Sequence, residues 1–164
     1  MNEKLEYKPS QKKVINEVVS FLTAQALISS NKRKIFKIIG SAGTGKTTII
    51  KAIIEQLLPL NKRISVVAPT YKALSVIQEK TDFTYQQKVK YSTLASLLKM
   101  GKVIDQETGE SSFTFTSATY SYALSDTDLV FIDEASMVNK EQYEILLKIS
   151  EEKKVNIIFI GEIV

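Results

Sequence analysis

Three glycines, a lysine and a threonine stand out in the run Gly40-Ser41-Ala42-Gly43-Thr44-Gly45-Lys46-Thr47, whose GxxxxGK[ST] pattern lies directly behind the apolar stretch Ile35–Ile39. Glycines at these positions let a backbone turn sharply and aim its N–H groups inward around an anion. A helix that begins near Lys46 adds unpaired N–H groups and the positive end of its dipole. Lys46 has the reach and charge for the β and γ phosphates, and the Thr47 hydroxyl suits Mg²⁺. Strand, phosphate loop and helix in this order bind a nucleoside triphosphate, with Gly40 through Thr47 and the adjacent Thr48 as the expected contacts.

A second group of reactive side chains lies downstream. Asp128 to Ile132 is an apolar run that ends in two acids, Asp133 and Glu134. Where a sheet is parallel, the carboxyl ends of its strands face the ligand crevice, so these acids point where the phosphate loop points. Asp133 suits the role of holding Mg²⁺ through its water shell, and Glu134 that of orienting or deprotonating an attacking water. With Lys46 they form the expected catalytic set, and the reaction is phosphoryl transfer from ATP to water.

The elements that must position these residues follow from periodicity. Pro9 to Ser29 carries Val14, Val18, Phe21, Leu22 and Ala26 at helical spacing, opened by Pro9 or Ser10. Asn31 to Lys34 reads as a turn into the first strand. A helix runs from Lys46 to about Leu58 and stops at Pro59. Arg63 to Ala68 is a Val-rich strand, and Lys72 to Glu79 a helix. Thr81 to Lys90 is polar and reads as loop. Ser92 to Met100 reads as a short helix capped by Ser92 or Thr93. Two strand-like pieces surround Gln106–Glu110, a hairpin with Gly109 in its turn. Helix Asn139–Ser150 and strand Val155–Ile160 complete the chain. Continuous apolar strands alternating with helices predict an α/β fold, a parallel sheet with helices on both faces.

The 164 residues suit one domain with a real core, and 44% hydrophobic with 24% charged residues is ordinary globular composition. With no Cys there is no disulfide framework, thiolate metal site or cysteine nucleophile. With no His, proton transfer falls to carboxylates, Lys or Tyr. Both absences, and the lack of an apolar leader in MNEKLEYKPS, fit a cytoplasmic protein. No apolar run approaches the ~20 residues of a membrane span. The net charge of +4 tolerates an anionic partner without demanding one.

In motif order the chain resembles superfamily 1B DNA helicases of the Dda-like and RecD-like group. KPSQKKVINEV is similar to the family's Q motif, GSAGTGKTT to motif I, and VVAPTYKAL to motif Ia. STLASLL resembles motif Ib, FIDEASMV motif II, and FIGE the opening of motif III. The resemblance implies a RecA-like motor domain of P-loop NTPase type that binds ATP and Mg²⁺ and tracks single-stranded DNA in replication, recombination or repair. It implies that Gln11 reads the adenine edge and that Thr70 and Lys72 grip the DNA backbone, with Ser92 and Thr93 as further contacts. It also makes the hairpin at about 101–117 a small 1B-like insertion, where Phe113 and Phe115 would meet the duplex fork.

Two departures stand out. Ala95 occupies the place where motif Ib commonly has His, and Glu162 replaces the Asp of motif III. The family continues with a second RecA-like domain carrying an arginine finger, so residues 1–164 are expected to be the N-terminal motor domain of a longer, monomeric helicase. By itself that domain would hydrolyse ATP slowly. Two other readings stand beside this one: a PhoH-like or other RecA-like ATPase, and a nucleotide-gated DNA-binding module without helicase activity.

Overall fold

The computed structural model describes residues 6–27, 35–115 and 124–162. Helix α1 (Pro9–Leu27) precedes strand β1 (Ile35–Ile39) and helix α2 (Lys46–Leu57), which tightens into a single turn at Leu58–Leu60 around Pro59. Strand β2 (Ile64–Ala68), helix α3 (Tyr71–Thr81), strand β3 (Val89–Thr93) and the one-turn helix α4 (Leu94–Leu97) follow. The hairpin β4 (Gly101–Ile104) and β5 (Ser111–Thr114) leads to β6 (Leu129–Ile132), helix α5 (Lys140–Lys153) and β7 (Asn156–Gly161). The expected turn at Asn31–Lys34, the end of the first helix beyond Leu27, the Phe113 side chain and Thr116 lie outside the described residues.

Five strands make one fully parallel sheet in the order β1-β7-β6-β2-β3. Its apolar runs divide between two faces because successive strand side chains point to opposite sides. Phe36, Ile158, Phe131, Val66 and Tyr91 lie in register across the sheet and pack under α1, α2 and α3. The next row, Phe159, Ile132 and Val67, faces the opposite core, built with Leu94, Leu98, Leu146 and Ile149. Helix α2 is apolar nearly all round: Ile49, Ile50, Ala52, Ile53, Ile54 and Leu57 are buried between the sheet and its neighbouring helices. Each such Ile or Leu contributes ~1.5–3 kcal/mol relative to exposure, so the helix that carries the phosphate loop is firmly seated.

The structure corrects one stretch of the sequence reading. Val89–Thr93, expected as the end of a loop and the start of a helix, is the edge strand β3, and the helix behind it shrinks to Leu94–Leu97. Its pairing with β2 and the Tyr91 hydroxyl, 2.6 Å from Thr81 Oγ1 and accepting from the Phe83 N–H, hold it in the sheet. A five-residue strand with three polar residues shows little apolar periodicity, so tertiary pairing decided it. The hairpin formed as expected. Asp105 Oδ1 accepts from the Glu107 and Thr108 N–H groups, and Gly109 adopts a positive φ of 73°.

At the amino ends of the strands, Arg63 and Asp128 clip β2 to β6. The Arg63 main-chain N–H, Nε and one terminal nitrogen all donate to the Asp128 carboxylate, at 2.8, 3.1 and 2.9 Å. The Asp128 N–H returns a bond to the Arg63 carbonyl at 2.8 Å. The Arg63 side-chain bonds hold the Asp128 carboxyl below the usual range. A depressed folded-state value stabilises above the unfolded value and loses that contribution as pH falls through the folded one. Asp128→Asn is therefore expected to cost about 1 kcal/mol at neutral pH, roughly 2–4 °C in Tm. Thermal unfolding should show the gap to wild type closing as pH falls below about 4.

Candidate nucleotide and phosphoryl-transfer site

The phosphate loop leaves β1 beside β7, where the Gly40 N–H donates to the Gly161 carbonyl at 3.1 Å. Gly43 and Gly45 take left-handed conformations, φ 76° and 82°, which a side chain would oppose. Gly45 is also the residue from which α2 starts, and a Cβ on it would collide with the Gln11 amide. Lys46 folds back over the loop, its Nζ donating to the Gly40 carbonyl at 2.7 Å and the Ser41 carbonyl at 2.9 Å. Thr44 braces the turn by donating to the Ser41 carbonyl at 2.8 Å. Ser41, Ala42, Gly43 and Thr44 are exposed, as an anion cradle requires.

Gln11 belongs to this cradle. Its Nε2 donates to the Thr44 carbonyl at 3.2 Å while its Oε1 accepts from the Lys8 N–H at 2.9 Å. The amide spans the start of α1 and the loop, beside Thr48 in the first turn of α2. Expected at the adenine edge, Gln11 here has its amide on the phosphate loop, at a residue 33 positions away in sequence.

Asp133 follows the buried strand β6, and its N–H donates to the Val67 carbonyl at 2.8 Å. Glu134 takes a left-handed φ of 49°, opening a tight turn over Ala135–Met137. Thr47, Asp133 and Glu134 line one cleft of about 380 Å³ together with Thr70, Lys72, Ala73, Val76, Ile77 and Met137. The oxygen donors of Thr47 and Asp133 suit a hard divalent cation, so these two would hold the Mg²⁺ of a bound nucleotide. The first turn of α2 supplies N–H groups without helical partners, and Lys46 supplies the countercharge.

The structure separates the remaining expected contacts. Thr70 caps α3 by accepting from the Ala73 N–H at 3.2 Å, and with Lys72 it borders the acidic cleft. Thr93 caps α4 and shares with Thr70 a neighbouring cleft of about 610 Å³, which Tyr71, Ala95, Ser96 and Lys99 also line. Ser92 points to the other face of the sheet and borders a different cleft with Ser65 and Lys90. Sequence reading missed Tyr71, 77% exposed at the mouth of the Thr70 cleft, and Lys80, whose charge reaches Asp133. The helical stripe from Ala73 through Val76 and Ile77 to Lys80 was the available signal.

Partial burial pushes the Asp133 carboxyl above the ordinary carboxylate range, while the Glu134 N–H, Lys46 and Lys80 pull it back. A raised folded-state value favours the protonated form, so its contribution to stability is full below the unfolded value and lost as pH rises through the folded one. At neutral pH the fold bears the cost of an ionised, partly desolvated acid. Asp133→Asn should therefore raise the thermal unfolding temperature by a few degrees at pH 7, and the gain should vanish in acid. A variant less stable than wild type at pH 7 would contradict this.

Comparison with known proteins agrees with the geometry. A family model described as an AAA domain matches residues 23–163. An uncharacterized protein of Acanthamoeba polyphaga mimivirus is 35% identical over 153 residues, covering 86% of this chain and 31% of that protein. The RecD subunit of the RecBCD enzyme from Buchnera aphidicola is 35% identical over 134 residues, covering 76% of this chain and 21% of the subunit. The chain thus spans about a third or less of the curated relatives it matches. In fold it is similar to the UvsW helicase of bacteriophage T4, with a TM-score of 0.61 at 12% identity, covering 98% of this chain and 54% of that structure. Phosphate loop, acidic strand end and five-stranded parallel sheet agree with these matches, and the chain belongs to the AAA-domain family as a RecA-like, helicase-type ATPase domain.

Proposed function

We propose that this chain is the motor domain of an ATP-dependent helicase that translocates on single-stranded DNA. The observation that carries this reading is the shared cleft. Thr47, Asp133 and Glu134 line it together with Thr70 and Lys72, so the hydrolytic residues and the DNA-gripping candidates share one cleft. In this reading Gly40 through Thr48 cradle the phosphates, and Gln11 meets the adenine edge. Thr47 and Asp133 would hold Mg²⁺, which would neutralise charge on the phosphate oxygens. Lys46 gives up its two carbonyl partners for phosphate oxygens, and Glu134 accepts a proton from the attacking water or orients it.

Thr70, Lys72 and Thr93 offer hydroxyl, ammonium and helix-terminal N–H groups to a nucleic-acid backbone, a grip that does not read sequence. Helix α3, seated on β2 through Leu74 and Ile77, connects the two halves rigidly. A second RecA-like domain of the parent protein would supply the arginine that completes the site, an addition worth ~10³–10⁵ in rate in related NTPases.

Steady-state ATP hydrolysis with and without single-stranded oligonucleotide tests the reading. Lys46→Ala is expected to abolish hydrolysis, and Glu134→Gln to lower kcat by ~10²–10⁴-fold while nucleotide binding persists. In oligonucleotide binding, Lys72→Ala should weaken affinity evenly across sequences and reduce the salt slope by about 0.7. A Lys46-dependent rate that DNA does not change, with no oligonucleotide binding, would leave an ATPase and overturn the translocase.

A further inference from the structure

Gly161 ends β7 where the phosphate loop and the acidic turn approach the same residue. Its carbonyl accepts from the Gly40 N–H at 3.1 Å, fixing the first residue of the loop. A Cβ built on it would lie 3.0 Å from the Ala135 nitrogen and 3.6 Å from both Ala135 Cβ and the Ser136 nitrogen. Backbone freedom does not account for the glycine, since only Gly43, Gly45 and Gly109 among the described glycines have positive φ. Gly40 differs as well: a Cβ there would meet the Thr44 side chain rather than main chain. At Gly161 the obstacle is main chain.

Resting on the ATP-hydrolysing reading, we infer that Gly161 is a positioning residue that sets the seat of Glu134. The Ala135–Met137 turn closes on Glu134, with the Met137 N–H donating to the Glu134 carbonyl at 2.9 Å and the Val138 N–H to the Ala135 carbonyl at 3.1 Å. The turn therefore moves as a unit. A methyl group on residue 161 displaces it by a few tenths of an ångström, and Glu134, already in a left-handed conformation, moves with it. Asp133 is anchored separately through its N–H to Val67 of β2, and the bond from Gly40 runs to the Gly161 main chain, which alanine retains. The missing side chain thus acts on the acidic turn that carries Glu134 and spares the phosphate cradle.

Gly161→Ala tests this, compared with wild type and Glu134→Gln. The expected result is a tenfold or greater loss in kcat, with KM for ATP within twofold of wild type, because misplacing a catalytic group by about 1 Å can cost ~10²-fold and the turn must give by part of that. A second readout needs no turnover. In amide NMR spectra of the variant, the resonances of Glu134, Ala135 and Ser136 should shift while those of Gly43 through Lys46 stay. Unmoved Glu134–Ser136 resonances, or an unchanged kcat, would overturn the inference. So would equal shifts in the phosphate loop or a parallel loss of nucleotide affinity, which would place the effect on the cradle or the fold. Absence of Lys46-dependent hydrolysis in wild type would instead sink the ATPase reading, and the NMR comparison would still decide whether Gly161 seats the turn.

Discussion

Burial of the parallel sheet on both faces is the constraint from which the rest of this structure follows. Every strand of the central trio β7, β6 and β2 must satisfy two cores at once, so adjacent residues such as Val66 and Val67, or Phe131 and Ile132, serve opposite sides. A slip of one residue in any of these strands would exchange the two sets of side chains. The register is therefore fixed, and with it the level at which each strand ends. Because all five strands run the same way, their carboxyl ends emerge together, and each connection there can carry chemistry without disturbing the core.

The order of the strands adds a second layer. β7 lies between the strand that delivers the phosphate loop and the strand that delivers Asp133 and Glu134. It keeps the two charged groups one strand apart, and its last residue touches both sides. β2 lies on the far side of β6, so the loop at Thr70 faces the acids across the remaining gap. The site is thus assembled from four connections that share no local sequence.

Electrostatics in this site run against stability. Glu134 holds a backbone conformation costing of order 1 kcal/mol for a non-glycine residue, and Asp133 is partly desolvated, a cost that the Glu134 N–H, Lys46 and Lys80 offset only in part. Lys46 satisfies itself on loop carbonyls, bonds that a stronger anionic partner can replace. At the opposite end of the sheet, Arg63 and Asp128 make a closed set of hydrogen bonds whose role is to hold strands. The carboxyl edge thus holds a partly desolvated acid and a lysine whose partners can be exchanged, while the amino edge holds an ion pair that is already satisfied.

Much of this was legible in the residues alone. The phosphate loop, the apolar strands, the acids after β6 and the hairpin around Gly109 are local patterns, each set by glycine conformations or runs of apolar side chains. The AAA-domain match and the RecA-like fold agree with what those patterns implied. The rest depended on contacts between distant segments. Val89–Thr93 is a strand because β2 offers it an edge, and its own polar residues carry no sign of that. Ser92 and Thr93, adjacent in sequence, part to opposite faces once the strand forms. Gln11 reaches the loop, Lys80 reaches Asp133, and Gly161 bears on both the loop and the acidic turn only after the sheet order is set. Sequence determined which groups could do the chemistry, because those groups are defined by type and short spacing. Tertiary structure decided which of them meet, because strand order and the facing of each side chain arise only when two cores are buried at once.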